Sequence, residues 1–199
     1  MYDIICVTDR KNCEGDFLAK IEEIAAAEPD SIILREKNLS ENEYRCLAES
    51  VLKICRKYSV PCTLHSFYAV AAELGAKRLH LPLPVMRELD KTVKQQFEVI
   101  GVSCHSAEEA IEAQKLGAGY ITAGHIFATD CKAGLPGRGL SFLKDVCSAV
   151  EIPVYAIGGI SGDNIAQVIQ SGADGVCIMS GFMKCENTEM LVRELKGGN

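Results

Sequence analysis

The strongest constraint on this chain is an alternation. Short apolar, β-branched runs recur from end to end, at Asp3–Thr8, Ser31–Arg35, Cys62–His65, Arg78–Leu81, Val99–Ser103, Tyr120–Ala123, Val154–Ile157 and Gly175–Met179. Several are continuously apolar, as parallel strands buried on both faces are. Between them lie segments with helical spacing. Phe17, Leu18, Ile21, Ile24 and Ala25 form one stripe. Tyr44, Leu47, Ala48, Val51, Leu52 and Cys55 form another, opened by Ser40 with Glu43 three residues on, a capping-box pattern. Ser106-Ala107-Glu108-Glu109 opens a third helix the same way, residues 161–169 and 188–195 supply later ones, and Arg87–Lys94 reads as helix or loop. Eight alternations in 199 residues predict a (β/α)8 TIM barrel, one compact α/β domain over residues 1–199. A doubly wound open sheet is the alternative. It would normally carry a Gly-rich phosphate turn after its first strand, and "CVTDRKN" offers none.

Composition narrows the function classes. With 48% hydrophobic and 24% charged residues, the chain has the profile of a soluble globular domain. No apolar run approaches the ~20 residues of a membrane span, and "MYDIICVTDRKN" lacks the pattern of a secretory leader, so a cytoplasmic protein is expected. A net charge of −6 without a basic block argues against nucleic acid as a main partner. Ten cysteines are scattered with no Cys-x-x-Cys spacing. Cys6, Cys62 and Cys177 fall in strand-like runs as small hydrophobes, and no zinc site is expected.

In a barrel the chemistry lies at the C-terminal ends of the strands. "AIGGI" ends the seventh run, and "GADGVCIMSGF" holds the eighth with its exit. Paired glycines let the backbone approach a ligand, and the following turn can present amides, so Gly158, Gly159 and Ser180 are expected to hold a phosphate, Met179 contributing backbone only. A tight turn without a ligand is the alternative. Arg35 and Lys37 in "ILREK" share one face while Glu36 points away; the two cations suit a carboxylate or phosphate, or a strand-end salt bridge. Among the four histidines, His80 lies between apolar residues as a structural histidine would. His105 caps or packs at a helix start, and His65 could face the pocket. His125, in "GHIFATDCK", has the best context for proton exchange. Ser103 is a candidate donor. Cys131 has no evident cause for a lowered pKa, and "GLPGRG" at 134–139 reads as a mobile flap bearing Arg138.

These segments, with "VTDR" and "IGVSCHSAEEA", occur in the order found in the thiamine-phosphate synthase superfamily, which the chain resembles over essentially its whole length. Within it, "GHIFATDCK" is similar to the TenI-type thiazole tautomerases. Synthases couple a pyrimidine diphosphate to a thiazole phosphate with Mg²⁺, and their pattern has Asn-Asp after strand three and Asp after strand four. Here those places hold His65-Ser66 and, about, Val85. The resemblance therefore implies a cofactor-independent isomerase of thiamine biosynthesis. It would aromatise a carboxythiazole phosphate by proton transfer through His125, with Gly158, Gly159 and Ser180 on the phosphate. Arg35, Lys37, Ser103, Thr129 and Lys132 are the matching pocket positions. No metal is implied, the partner is a small thiazole phosphate, and the family allows a homodimer. The alternatives are a Mg²⁺-dependent thiamine-phosphate synthase and a non-catalytic regulator that binds a phosphate ligand.

Overall fold

The computed structural model of the chain describes residues 2–129 and 134–197. Eight parallel strands close into a barrel in chain order. They are β1 (Asp3–Val7), β2 (Ser31–Leu34), β3 (Cys62–His65), β4 (Arg78–Pro82), β5 (Val99–Cys104), β6 (Tyr120–Gly124), β7 (Val154–Ile157) and β8 (Gly175–Ile178). The barrel closes where Asp3 of β1 pairs with Gly175 of β8. Each expected run is a strand, with ends shifted by a residue at most. β2 stops at Leu34 because the Arg35 amide donates to the Thr8 hydroxyl at 2.9 Å instead of to a strand carbonyl.

The helices between the strands are α1 (Phe17–Ala26), α2 (Glu41–Lys57), α3 (Tyr68–Glu73), α4 (Leu83–Glu88), α5 (Lys91–Lys94) and α6 (Ala107–Lys115). After β6 come α7 (Gly139–Ala149), α8 (Ile165–Gln170), α9 (Ser180–Lys184) and α10 (Thr188–Leu195). The Ser40–Glu43 capping box forms in full at α2. At α6 only half of it forms: Ser106 accepts from the Glu109 amide, but the Glu109 carboxylate takes the His105 amide at 2.6 Å. The ambiguous 87–94 stretch holds the end of α4 and the short α5, separated at Leu89–Asp90. No helix among the described residues is long and apolar enough to cross a membrane.

Strand alternation sorts the side chains into two sets. Ile4, Cys6, Ile32, Leu34, Leu64, Leu79, Leu81, Val102, Ile121 and Val176 face the helices and are buried in the main core. Each such burial contributes roughly 1.5–3 kcal/mol. The inward set is divided. Ile5, Val7, Ile33 and Cys177 make an apolar cluster with Tyr155, Ile157 and Met179. The opposite wall, from β3 to β6, buries Thr63, His65, His80, Tyr120 and Thr122. Gly101 makes room on that wall: a Cβ there would stand 2.0 Å from Tyr120 Cζ.

Candidate active site

A cavity of about 440 Å³ opens where the strands end, a volume suited to a small organic ligand. Its lining is drawn from the C-terminal end of every strand, from Val7 on β1 round to Met179 after β8. Arg35, Lys37, Ser103, His125, Thr129, Gly158, Gly159, Met179 and Ser180 all line it. Lys132 and Cys131 lie outside the described residues.

The two cations reach the mouth because the residue between them is held elsewhere. Glu36 is buried; it accepts the Thr8 hydroxyl at 2.8 Å and the Arg10 amide at 3.1 Å. Burial raises its carboxyl pKa, against the pull of those donors. Met179 does more than lend its backbone: its sulfur stands 4.0 Å from Arg35 Nη1, and its side chain packs on the apolar interior cluster.

On the opposite wall the histidines form a stack, His65 over His80 at 5.4 Å between ring centroids. His65 Nδ1 is 2.7 Å from Ser66 Oγ. His80 Nε2 meets Ser103 Oγ at 2.8 Å, and its Nδ1 meets the Tyr120 hydroxyl at 3.0 Å. Burial, followed by the His80 ring beside it and the charges of Lys37 and Arg35, pulls His65 down to about 2. Burial, then Lys37 and Arg35, brings His80 to about 3. Both rings are neutral donors and acceptors at physiological pH. His80, expected to be structural from its apolar flanks, also faces the cavity.

His125 is buried, and its Nε2 donates to the Pro136 carbonyl at 3.0 Å, while Nδ1 is buried without a hydrogen-bond partner. The 134–139 segment is not a free flap. The Arg138 amide donates to His125 O at 3.0 Å and the Gly139 amide to Ile126 O at 2.9 Å, while the Arg138 guanidinium lies over Phe142. The role expected of Gly158 changes as well. With φ +105, its missing Cβ would stand 2.5 Å from His125 Cβ and 2.8 Å from His125 Cα. Gly159 (φ +66) similarly abuts Ala128 O at 2.5 Å. These glycines line the cavity, but the backbone they admit is that of the His125 loop.

Among the described lining residues, Glu109 carries the only carboxylate. It is committed to the His105 amide and sits 3.4 Å from His105 Nδ1. His65 and Ser66 bond each other, and Val85 lies in α4. No group of three or more His, Cys, Asp or Glu among the described residues is placed to hold a metal. Magnesium takes hard carboxylate oxygens, and this donor set does not fit it.

Sequence reasoning missed Tyr120, Thr122 and Glu109. The signal for Tyr120 was Gly101, its lateral partner on β5, a glycine inside a strand that marks close approach.

A family model described as thiamine monophosphate synthase matches residues 4–182. Thiamine-phosphate synthase 2 of Streptococcus pneumoniae serotype 4 is 36% identical over 189 residues, covering 92% of this chain and 88% of that protein. Thiamine-phosphate synthase of Clostridium tetani is 32% identical over 197 residues, covering 96% and 92%. The solved thiamine phosphate pyrophosphorylase from Pyrococcus furiosus superposes with a TM-score of 0.85 at 29% identity, over 98% of this chain and 94% of that one. These relatives overturn the expectation of a TenI-type tautomerase and of an isomerase. They carry the synthase name, so the substitution of a few loop residues was too narrow a basis for assigning a different reaction. The chain belongs to the thiamine monophosphate synthase family.

Proposed function

We propose that the protein is a transferase of thiamine biosynthesis that joins a pyrimidine diphosphate to a thiazole phosphate, giving thiamine phosphate. The observation that carries this reading is the synthase name shared by relatives that align along nearly the whole chain. The mouth supports it. Coupling expels diphosphate, so negative charge grows on the leaving group, and Arg35 and Lys37 are the cations on the described lining that suit it. The turns at Gly159 and Ser180, on the same lining, are the proposed seat of the thiazole phosphate. The neutral wall of His65, His80 and Ser103 then faces the heterocycles. The described part of the lining offers no ligand set for magnesium.

The test is thiamine phosphate formation by purified protein from the two precursors, with Mg²⁺ and in chelator. Product formed at a rate that collapses in Arg35→Ala is the expected result. No product under either condition would overturn the transferase. The donor set that does not fit magnesium favours one second reading, a non-catalytic binder of a phosphate ligand. Tight binding of thiazole phosphate or thiamine phosphate without turnover would establish it.

A further inference from the structure

We propose that Tyr120 is a positioning residue: from inside the barrel it fixes His80 in its Nε2–H form and so turns the Ser103 hydroxyl towards the cavity as a hydrogen-bond donor. Three side chains run in file from the barrel interior to its mouth. The Tyr120 hydroxyl lies 3.0 Å from His80 Nδ1, and His80 Nε2 lies 2.8 Å from Ser103 Oγ. Thr122 Oγ1 donates to the same Ser103 oxygen at 3.4 Å. Tyr120 and His80 are buried, 5% and 2% exposed, so neither can exchange these partners for bulk water.

The geometry alone permits two directions of hydrogen bonding, and the surroundings choose between them. A neutral imidazole carries one N–H. If it sat on Nδ1, it would point at the Tyr120 oxygen, and the phenol hydrogen would need another acceptor. The neighbouring Tyr155 hydroxyl gives its own hydrogen to Asp3 Oδ2 at 2.8 Å, and a hydroxyl oxygen is a weaker acceptor than the bare nitrogen of an imidazole. Burial keeps the Tyr120 phenol protonated, opposed in part by the charge of Arg78 and, to a smaller extent, by a hydrogen bond with Thr63. A phenol hydrogen with His80 Nδ1 as its acceptor avoids a buried unsatisfied donor. His80 Nδ1 is then bare, Nε2 carries the hydrogen, and Ser103 receives it. Ser103 also receives from Thr122, so its own hydrogen is left for an acceptor oxygen or nitrogen of a ligand in the cavity that Ser103 and Thr122 both line. Gly101 belongs to the device, since any side chain there would displace the Tyr120 ring.

The statement about the ligand rests on the proposed function, whereas the tautomer does not. The first measurement is therefore made on the unliganded full chain: long-range ¹H–¹⁵N correlation of the histidine rings at neutral pH, with His80 assigned by its loss in His80→Gln. Hydrogen on Nε2 with a bare Nδ1 is expected, and Tyr120→Phe should spread His80 over both tautomers. Hydrogen on Nδ1 in the wild type, or an unchanged tautomer in Tyr120→Phe, overturns the proposal, the first without need of any variant fold. The second measurement is the Kd for thiamine phosphate. Tyr120→Phe and Ser103→Ala should each weaken it by roughly tenfold, the loss of one directed hydrogen bond. The double variant should be no weaker than Ser103→Ala alone. Independent, additive losses, or no loss in either variant, would refute the coupling. If wild type does not bind thiamine phosphate, the proposed function fails while the ring spectrum still decides the role of Tyr120.

Discussion

Replacing Gly158 by alanine tests the finding that this glycine serves the His125 loop. Two costs combine at the position. With φ +105, the backbone lies where an L side chain is strained, and such positions cost about 1–3 kcal/mol. The added methyl would stand 2.5 Å from His125 Cβ and 2.8 Å from Cα, the latter on the main chain. Forced overpacking of this kind costs typically about 1–3 kcal/mol. The sum is about 2–6 kcal/mol, against a total stability of roughly 5–15 kcal/mol for a domain. For a chain of this size it should lower Tm by roughly 4–24 °C, at about 2–4 °C per kcal/mol. Gly117 separates the terms, because it has φ +90 with nothing within 4 Å of a built Cβ. Gly117→Ala should show the backbone strain alone. Urea unfolding of wild type and both variants, with the His125 ring resonances as a local probe, supplies the readout. Equal losses in the two variants with an unshifted His125 would refute the collision. The glycine would then be needed only for its dihedral angle.

Other consequences follow from charge and burial. His65 and His80 refuse protons in the folded barrel that the unfolded chain accepts below about pH 6.5, so they contribute stability above that pH that is lost on acidification. Their slope approaches about 1.4 kcal/mol per pH unit for each ring, and the double change to glutamine should flatten stability between about pH 6.5 and 5; an identical profile would contradict their neutrality. Glu36 has the opposite sign: its carboxyl is raised by burial, so its contribution is largest below its unfolded pKa and is lost as pH rises through the folded one. The stability difference between wild type and Glu36→Gln should therefore move in favour of wild type as pH falls towards 4.5, the ordinary value for that carboxyl. A flat difference would count against burial as the cause. Arg35→Ala and Lys37→Ala should each raise the Kd for thiazole phosphate, with a smaller loss at high salt because screening already weakens the attraction. A loss independent of ionic strength would point to packing instead of charge.

The sequence by itself determined what depends on near neighbours. Strand burial on two faces requires continuous apolar runs, so all eight strands were legible to within a residue at each end. Period-two alternation put Arg35 and Lys37 on one face and Glu36 on the other, and the Ser40–Glu43 box announced α2. The tertiary structure decided the rest, because its causes lie far apart in the chain. Gly158 is a glycine on account of His125, Gly101 on account of Tyr120, and the Met179 side chain is turned inward beside Arg35. His80 looks like a packed core residue in its own segment. Only strand pairing, which sets β4 beside β5 and β5 beside β6, brings Tyr120 and Ser103 to its two nitrogens. The 134–139 stretch carries glycines that suggest freedom, yet its amides and a carbonyl are bonded to the His125 loop. The expected reaction misled for a related reason. One loop motif reports local chemistry, whereas the family assignment draws on residues along the whole barrel.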